Sequence, residues 1–391
     1  MVYRKCGKLP VETSLLGYGM MRLPKHKDIL DKNGFPYKTD ANEAARLLRH
    51  AIDNGVNYVD TARVYGDSEE VTGIALKDGY REKVYLATKN PLGAKGTAED
   101  WEKYLNESLK QLQTDHIDFY LQHNLNSKNW DNFKTLGIFE MAQKAKKYGR
   151  IKYFGFSFHD NCDVFLEILN EYDWDFCQIQ FNYVDTEFQA GIKGLKAAHA
   201  KGVGVIVMEP LRGGRLVAYL PDEIQEELRE NGINRTPADL ALRWLANFPE
   251  ISCMLSGMGT FDMVEQNLRT FSDTDVISGN IPEKETELVN KMAEKWKSYK
   301  SIDCTDCKYC MPCPFGVDIP NCIADLNWAR STRSDSWGAR QDYRKLIARN
   351  ADASQCVECG VCESKCPQDI AVIESLKAAH STMLSFMWDV Q

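Results

Sequence analysis

The 391-residue sequence predicts an α/β chain in two parts. The first is a closed (β/α)8 TIM barrel over residues 1–280. A helical linker at 281–300 leads from it to a smaller, mainly helical, cysteine-rich domain at 301–391. Two patterns predict the barrel. Short apolar, β-branched runs recur at 14–18, 56–60, 84–89, 117–123, 151–157, 176–182, 203–210 and 251–257, which makes eight candidate strands. Segments of helical period fill the intervals. One carries Ala44, Leu47, Leu48, Ala51 and Ile52 and stops at Asn54-Gly55; another carries Trp101, Leu105, Leu109 and Leu112. A third opens on Thr236-Pro237-Ala238-Asp239, with a capping Thr, Pro at the first helical position and a carboxylate near the helix's positive end. Strand–helix alternation at this spacing implies parallel strands with right-handed crossovers, and eight repeats in roughly 270 residues match a closed barrel. An open doubly wound sheet is the rival, but no GxGxxG follows an early strand. The third observation concerns cysteine. Of 13 Cys, Cys6, Cys162, Cys177 and Cys253 are scattered over the first 303 residues, and nine crowd into the last 88.

Composition narrows the function. Hydrophobic residues at 43% and charged residues at 27% exclude a disordered or fibrous chain. A formal charge of −8 argues against nucleic acid as a partner. No apolar run is long enough for a membrane span, and no apolar stretch follows the charged start MVYRKCGKLPVETS. The chain therefore reads as cytoplasmic. Thiols stay reduced there, so crowded cysteines read as metal ligands rather than disulfides. Residues 22–40, rich in Lys, Asp, Gly and Pro, read as an insertion after the first strand.

In a barrel of this type the chemistry lies where strands end, because the βα loops build one open mouth over a packed core. The ends of strands two to four carry Asp60, with Tyr65 just beyond it, then Lys89, then His123. A Lys and an Asp on adjacent strands at one height would pair. A phenol beside that ammonium would ionise more readily, which suits a general acid delivering a proton to a carbonyl oxygen. Any one of these residues alone is more often structural; four suited to one another at one mouth point to catalysis.

The same residues carry a resemblance. Asp60-Thr61-Ala62-Arg63-Val64-Tyr65-Gly66-Asp67-Ser68-Glu69 resembles the DTAxxYGxSE signature of the aldo/keto reductases, and Thr88-Lys89 and His123 fall where that family has its other catalytic residues. Agreement continues through Gly155-Phe156-Ser157, Gln180-Phe181-Asn182-Tyr183, Pro210-Leu211-Arg212-Gly213-Gly214-Arg215-Leu216 and Ser256-Gly257-Met258. The resemblance implies NAD(P)H-dependent reduction of small aldehydes and ketones. Tyr65 would protonate the substrate oxygen, Lys89 held by Asp60 would ease its ionisation, and His123 would orient the carbonyl. It also implies that Ser157 and Gln180 hold the carboxamide. Leu211, Gly213, Gly257, Met258, Gln266 and Asn267 would then lie along the pyrophosphate and adenosine. Met208 stands where many relatives present a Tyr that stacks on the nicotinamide, and Phe158 where an Asn often follows the Ser. The stretch 257–263 holds no Lys or Arg to pair with a 2′-phosphate and contains Asp262, so it does not favour NADP.

The tail reads Cys304-x2-Cys307-x2-Cys310-x2-Cys313-Pro314 and, further on, Cys356-x2-Cys359-x2-Cys362-x3-Cys366-Pro367. The second run matches the bacterial ferredoxin pattern, and the first is one residue short before its last Cys. Two zinc sites are the alternative, but zinc sites usually present two CxxC pairs separated by a loop. The tail resembles dicluster ferredoxin domains with two [4Fe–4S] clusters. That resemblance implies Cys304, Cys307 and Cys310 with Cys366 on one cluster, and Cys356, Cys359 and Cys362 with Cys313 on the other. Cys322 is left over as a buried thiol. The chain as a whole is similar to aldo/keto reductases that carry a C-terminal ferredoxin-type domain.

Hydride chemistry moves two electrons and each cluster passes one. Three readings follow: a reductase barrel coupled through its clusters to a ferredoxin or flavodoxin, a reductase whose clusters are structural or redox-sensing, and an electron-transfer protein with a non-catalytic barrel. The intact Asp60, Tyr65, Lys89 and His123 argue against the third. With both clusters in place, each adding about −2, the formal charge becomes about −12.

Overall fold

A computed structural model describes residues 1–26, 28–29, 38–218, 220, 222–298, 302–331 and 336–385. The 22–40 insertion and the 281–300 linker each fall partly outside them. Two short strands, β1 (Tyr3–Lys5) and β2 (Glu12–Ser14), form an antiparallel hairpin. They precede a closed parallel barrel of β3 (Leu16–Gly19), β4 (Tyr58–Asp60), β5 (Tyr85–Asn90), β6 (Ile117–Leu125), β7 (Ile151–Phe158), β8 (Phe176–Gln180), β9 (Gly204–Met208) and β10 (Ile251–Ser256). Each strand pairs with the next, and β10 closes on β3. All eight predicted barrel strands are present. The expected run 14–18 is divided, because Ser14 ends the hairpin while the barrel strand begins at Leu16.

The helices form for the reasons their sequences give. Ala41–Asp53 starts where the Asp40 carboxylate accepts from the Glu43 amide at 3.0 Å, and it buries Ala44, Leu47, Leu48, Ala51 and Ile52. Ala98–Gln111 starts with a capping box between Thr97 and Asp100 and buries Trp101 and Leu105.

Inside the barrel, Tyr58, Ala87, Phe119, Leu121, Phe176, Ile206, Cys253 and Leu255 form one core, joined by Cys6 and Leu9 from the hairpin. Gly155 belongs to the same inward layer. A Cβ there would lie 2.2 Å from the Phe176 carbonyl oxygen, so only glycine lets β7 and β8 approach this closely.

The chain divides into two compact units that do not follow a single cut in sequence. The first comprises Met1–His26, Lys38–Pro210 and Ala241–Pro282. The second takes the segment Leu211–Leu240 together with Glu283–Gln391. Within the second unit, helix Glu283–Ser298 buries Leu288, Met292 and Trp296, four residues apart on one face. Arg235 bonds Glu285 at 2.7 Å, and Lys291 bonds Glu227 at 2.9 Å. Helices Ile319–Ser331, Ser336–Ala348 and Val372–Ser385 share a core that includes Cys322, Ile323, Leu326, Tyr343, Leu346, Leu376 and Met383. Among the described residues no helix is long and apolar enough to cross a membrane.

Candidate active site and cluster site

Strand register places the predicted catalytic residues. Asp60 pairs with Ala87, and Lys89, two residues on, faces the same side because side chains alternate along a strand. Lys89 pairs with Leu121, and His123 follows it by two; Leu121 pairs with Gly155, and Ser157 follows that by two. Ser157 pairs with Gln178, and Gln180, two further, pairs with Met208. Asp60, Lys89, His123, Ser157, Gln180 and Met208 therefore climb one inward-facing staircase above the apolar core.

On that staircase Lys89 Nζ donates to Asp60 Oδ1 at 2.5 Å and to the Thr61 carbonyl at 2.7 Å. Both side chains are buried, and among the described residues Asp60 Oδ2 has no hydrogen-bond partner. Burial pushes Lys89 below its ordinary range and Asp60 above the usual carboxylate range, and their mutual attraction opposes both shifts. Tyr65 lies beyond β4. Lys89 Nζ is 4.9 Å from its ring centroid, and the His123 ring stands edge-on to it at 6.1 Å. Burial, then the charge on Lys89, holds His123 well below an ordinary imidazole, so His123 is neutral at physiological pH. The arrangement offers a phenol donor beside a cation, with a neutral imidazole opposite.

The rest of the Asp60–Glu69 motif braces that phenol. Thr61 and Ser68 share a hydroxyl hydrogen bond of 2.7 Å, and Ser68 donates to the Met20 carbonyl. Buried Glu69 accepts from Thr88 at 2.7 Å, next to Lys89, and its other oxygen lies 3.6 Å from Arg63. In the sequence these residues stand only as parts of one signature. The structure shows that they clamp the loop carrying Tyr65 to its neighbouring strand.

The predicted cofactor contacts are placed as follows. Ser157 Oγ accepts from the Asn124 amide at 2.8 Å, and Gln180 Nε2 donates to Asp185 at 2.9 Å. Met208 ends β9, with its sulfur accepting from Gln178 at 3.7 Å. Met258 is buried and its carbonyl accepts from Tyr18 at 2.6 Å; Asn267 is buried and bonds Ser256 Oγ at 2.9 Å; Gln266 is exposed. Arg22 lies across the glycines of this stretch. A Cβ on Gly257 would meet the Arg22 Cβ at 3.3 Å, and one on Gly259 would meet its carbonyl oxygen at 3.2 Å. The aliphatic stem of Arg22 lies beside the glycines, and its guanidinium Nη2 is 3.9 Å from the Glu209 carboxylate. The pairing of β3 with β10 creates this neighbourhood, so no local sequence signal could reveal it. Arg46 also stacks on Phe261 at 4.9 Å, its guanidinium held bidentate by Glu43. Leu211 and Gly213 lie in the segment that belongs to the second unit, with Gly213 at φ +65.

Two further groups sit near the strand ends. His159, just past β7, bonds Gln189 at 3.2 Å, and burial lowers its pKa to about 4. Cys162 is partly buried, and burial keeps its thiol protonated, as it does for Cys6, Cys177 and Cys253.

In the second unit the two cysteine runs share one backbone pattern. Asp306 and Lys308 have left-handed φ of +55 and +62; Glu358 and Gly360, at the equivalent places, have +59 and +74. After each Cys-Pro the turn closes identically: the Gly316 amide bonds the Cys313 carbonyl at 3.0 Å, and the Asp369 amide bonds the Cys366 carbonyl at 3.3 Å. Left-handed residues that recur at matching positions curl amides into anion-binding concavities. Cys313, Cys356, Cys359 and Cys362, with Cys310, line one hollow together with Pro314, Val317 and Leu376. Cys310 is held up by burial and by the nearby charges of Cys307, Cys304 and Cys366. Thiols lining one hollow are the donor set that iron–sulfur clusters use. Cys322 stands apart, buried, its thiol 3.8 Å from the Ala351 carbonyl.

A TIM barrel with this Lys–Asp–Tyr–His group at its strand ends, followed by a helical domain with paired cysteine runs, has the parts of an iron–sulfur oxidoreductase. The aldo/keto reductase family matches residues 15–278, and a 4Fe-4S dicluster domain matches residues 303–371. The chain belongs to the aldo/keto reductase family. Its sequence is 26% identical over 320 residues to the uncharacterized oxidoreductase YrpG of Bacillus subtilis (strain 168), spanning 69% of this chain and 90% of that protein. It is 28% identical over 329 residues to aldo-keto reductase str7 of Strobilurus tenacellus, spanning 75% and 92% respectively. Among solved structures, the holo form of aldo-keto reductase AKR11C1 from Bacillus halodurans superposes with a TM-score of 0.61 at 25% identity, covering 75% of this chain and 96% of that one.

Proposed function

We propose that the barrel reduces small aldehydes or ketones with NAD(P)H, with Tyr65 as the proton donor. In the same reading, the C-terminal domain holds two [4Fe–4S] clusters that exchange single electrons with a small carrier such as a ferredoxin or flavodoxin. The barrel part runs to about residue 280 and the cluster part from 301, joined by 281–300, in a cytoplasmic protein with reduced thiols. The observation that carries the catalytic reading is the buried Lys89–Asp60 pair set against the Tyr65 ring.

When bound, the dinucleotide supplies hydride to the carbonyl carbon. Tyr65 gives its proton to the carbonyl oxygen as negative charge develops there, and the Lys89 ammonium favours the phenolate left behind. Asp60 supports the charged form of Lys89 against the cost of burial. His123, neutral, donates a hydrogen bond to the same oxygen and so orients the carbonyl. Ser157 and Gln180 would hold the carboxamide, and Met208 would pack on the nicotinamide side. Leu211, Gly213, Gly257, Met258, Gln266 and Asn267 would flank the rest of the dinucleotide. Met263 and Asp262 are exposed where a base would face a 2′-phosphate, which supports NADH over a strict NADPH requirement. Cys304, Cys307 and Cys310 with Cys366, and Cys356, Cys359 and Cys362 with Cys313, would ligate the clusters.

The test is anaerobic turnover of the intact protein against a panel of carbonyl compounds with NADH and NADPH. Tyr65→Phe should remove turnover while leaving iron content and visible absorbance unchanged. Turnover equal to wild type would sink the assignment.

A further inference from the structure

A second imidazole stands at the barrel mouth. Phe156 and Phe158 of β7 turn outward, their rings 5.8 and 5.1 Å from Phe165 on the helix Cys162–Glu171. Alternation then turns Gly155, Ser157 and, two residues on, His159 toward the inside of the barrel. The His159 backbone still follows the strand, its amide bonding the Leu125 carbonyl of β6 at 3.5 Å. On β6 the register slips between Gln122, which pairs with Phe156, and Leu125, which pairs with Phe158. The extra residue falls where Asn124 takes a left-handed φ of +53 and its amide bonds Ser157 Oγ at 2.8 Å. His123 thus comes level with Ser157, and His159 stands one inward step higher on the neighbouring strand, about 5 Å away. The two rings are close enough for the charge of one to act on the other.

Gln189 fixes which nitrogen of His159 carries hydrogen. It is buried in the loop after β8 and has a left-handed φ of +55, a backbone cost that a non-glycine residue carries only where its surroundings hold it. Its Oε1 lies 3.2 Å from His159 Nδ1. A carbonyl oxygen can only accept, so Nδ1 bears the hydrogen and Nε2 presents a lone pair. Burial lowers the ring's pKa to about 4, so it is neutral at pH 7. Among the described residues His159 Nε2 makes no hydrogen bond, and the side chain is only partly buried. The mouth therefore holds an oriented acceptor that the reduction itself does not use.

Resting on the reading that the barrel reduces carbonyl compounds with NAD(P)H, we propose that His159 is a specificity residue for small 2-hydroxy aldehydes and ketones. The hydroxyl next to the carbonyl donates to His159 Nε2, while the carbonyl oxygen faces Tyr65 and His123. Hydride from the dinucleotide adds to the carbonyl carbon, the Tyr65 proton goes to its oxygen, and the product is a vicinal diol. His159 neither gives nor takes a proton. The two imidazoles sort the substrate by hydrogen-bond sense: His123 donates to the carbonyl and His159 accepts from its neighbour. An analogue with a methyl in place of the hydroxyl leaves Nε2 without a donor, the situation in which a polar site discriminates most. A 2-oxo acid would set a carboxylate against the same lone pair.

The experiment measures kcat/KM of the intact, anaerobically purified protein on two matched pairs, hydroxyacetone with butanone and glycolaldehyde with propanal. Within each pair a hydroxyl replaces a methyl. The readout is the hydroxy-to-methyl ratio in wild type, His159→Phe and Gln189→Leu. Comparing that ratio between variants cancels differences in intrinsic reactivity and any loss common to both members. Wild type should favour the hydroxy member at least tenfold, and His159→Phe should lower the ratio at least tenfold in both pairs. Gln189→Leu, which leaves the imidazole in place but frees its tautomer, should lower it by about threefold or more. A wild-type ratio near one, or an unchanged ratio in His159→Phe, overturns the proposal. Should His159→Phe yield too little folded protein, Gln189→Leu decides, and an unchanged ratio there overturns it. Turnover without hydroxyl preference sinks this proposal alone; no turnover of any of the four compounds by wild type would overturn the carbonyl-reductase reading and this proposal with it.

Discussion

In the barrel, Lys89 and Asp60 already face each other at 2.5 Å, and Tyr65 is braced by Thr61, Ser68 and Glu69. In the C-terminal unit, by contrast, thiols from two separate runs surround a hollow, on left-handed turns above a helical core. The first site is built by protein atoms against a closed sheet. The second takes its final form from what its thiols bind, because ligand deprotonation and metal binding are coupled to folding. The two regions should therefore fail differently when single side chains are removed.

The largest effect is expected in the barrel. Lys89→Met removes the ammonium and strands Asp60, so turnover should fall by about 10²–10⁴-fold. Stability should fall by about 3–5 kcal/mol in a denaturant titration, because an unpaired carboxylate is left buried. Wild-type stability in this variant would show that the ion pair is not what balances Asp60. The matching cut in the tail, Cys362→Ala, should lower iron from about eight to about four per chain and leave the barrel's unfolding midpoint where it was. Loss of all iron, or of none, would contradict two independent ligand sets.

A change of pH should strike the barrel next. Burial keeps His123 well below, and His159 at about 4 against, the ordinary imidazole value. The unfolded chain therefore takes up more protons as pH drops below about 6.5. Stability present above that value is lost on acidification toward pH 4, by about 2 kcal/mol at pH 5 from His159 alone. His159→Gln should flatten that dependence, and an unchanged slope would refute it. The smallest effect is expected at Cys322, the thiol left over from the cysteine pattern. Cys322→Ala should cost about 1 kcal/mol while iron stays constant; lost iron would make it a ligand.

Much of this was legible in the sequence. Eight apolar runs announced the barrel because a strand buried on both faces reads as a continuous apolar stretch. Asp60, Lys89 and His123 were legible because each ends such a run, and register turns that position into a shared face. The hairpin of Tyr3–Lys5 and Glu12–Ser14 was not legible, since three-residue strands carry too little pattern. Arg22 and Arg212 were missed for another reason: their neighbours, Gly257 and Asp303, are far away in sequence and meet them only through closure of the fold. The grouping of Leu211–Leu240 with the tail was hidden in the same way, because a helical segment between two barrel strands looks like any other crossover.

If the barrel transfers hydride directly to a carbonyl carbon, rather than passing electrons to it through the clusters, the hydrogen on nicotinamide C4 ends on that carbon. The most direct measurement is anaerobic reduction of an aldehyde by the intact protein with NADH deuterated at the transferring position of nicotinamide C4. Direct transfer places one deuterium on the carbinol carbon of every product molecule, and none on that carbon when unlabelled NADH is used in heavy water, where only the exchangeable hydroxyl takes up deuterium. Product formed without that deuterium would contradict it.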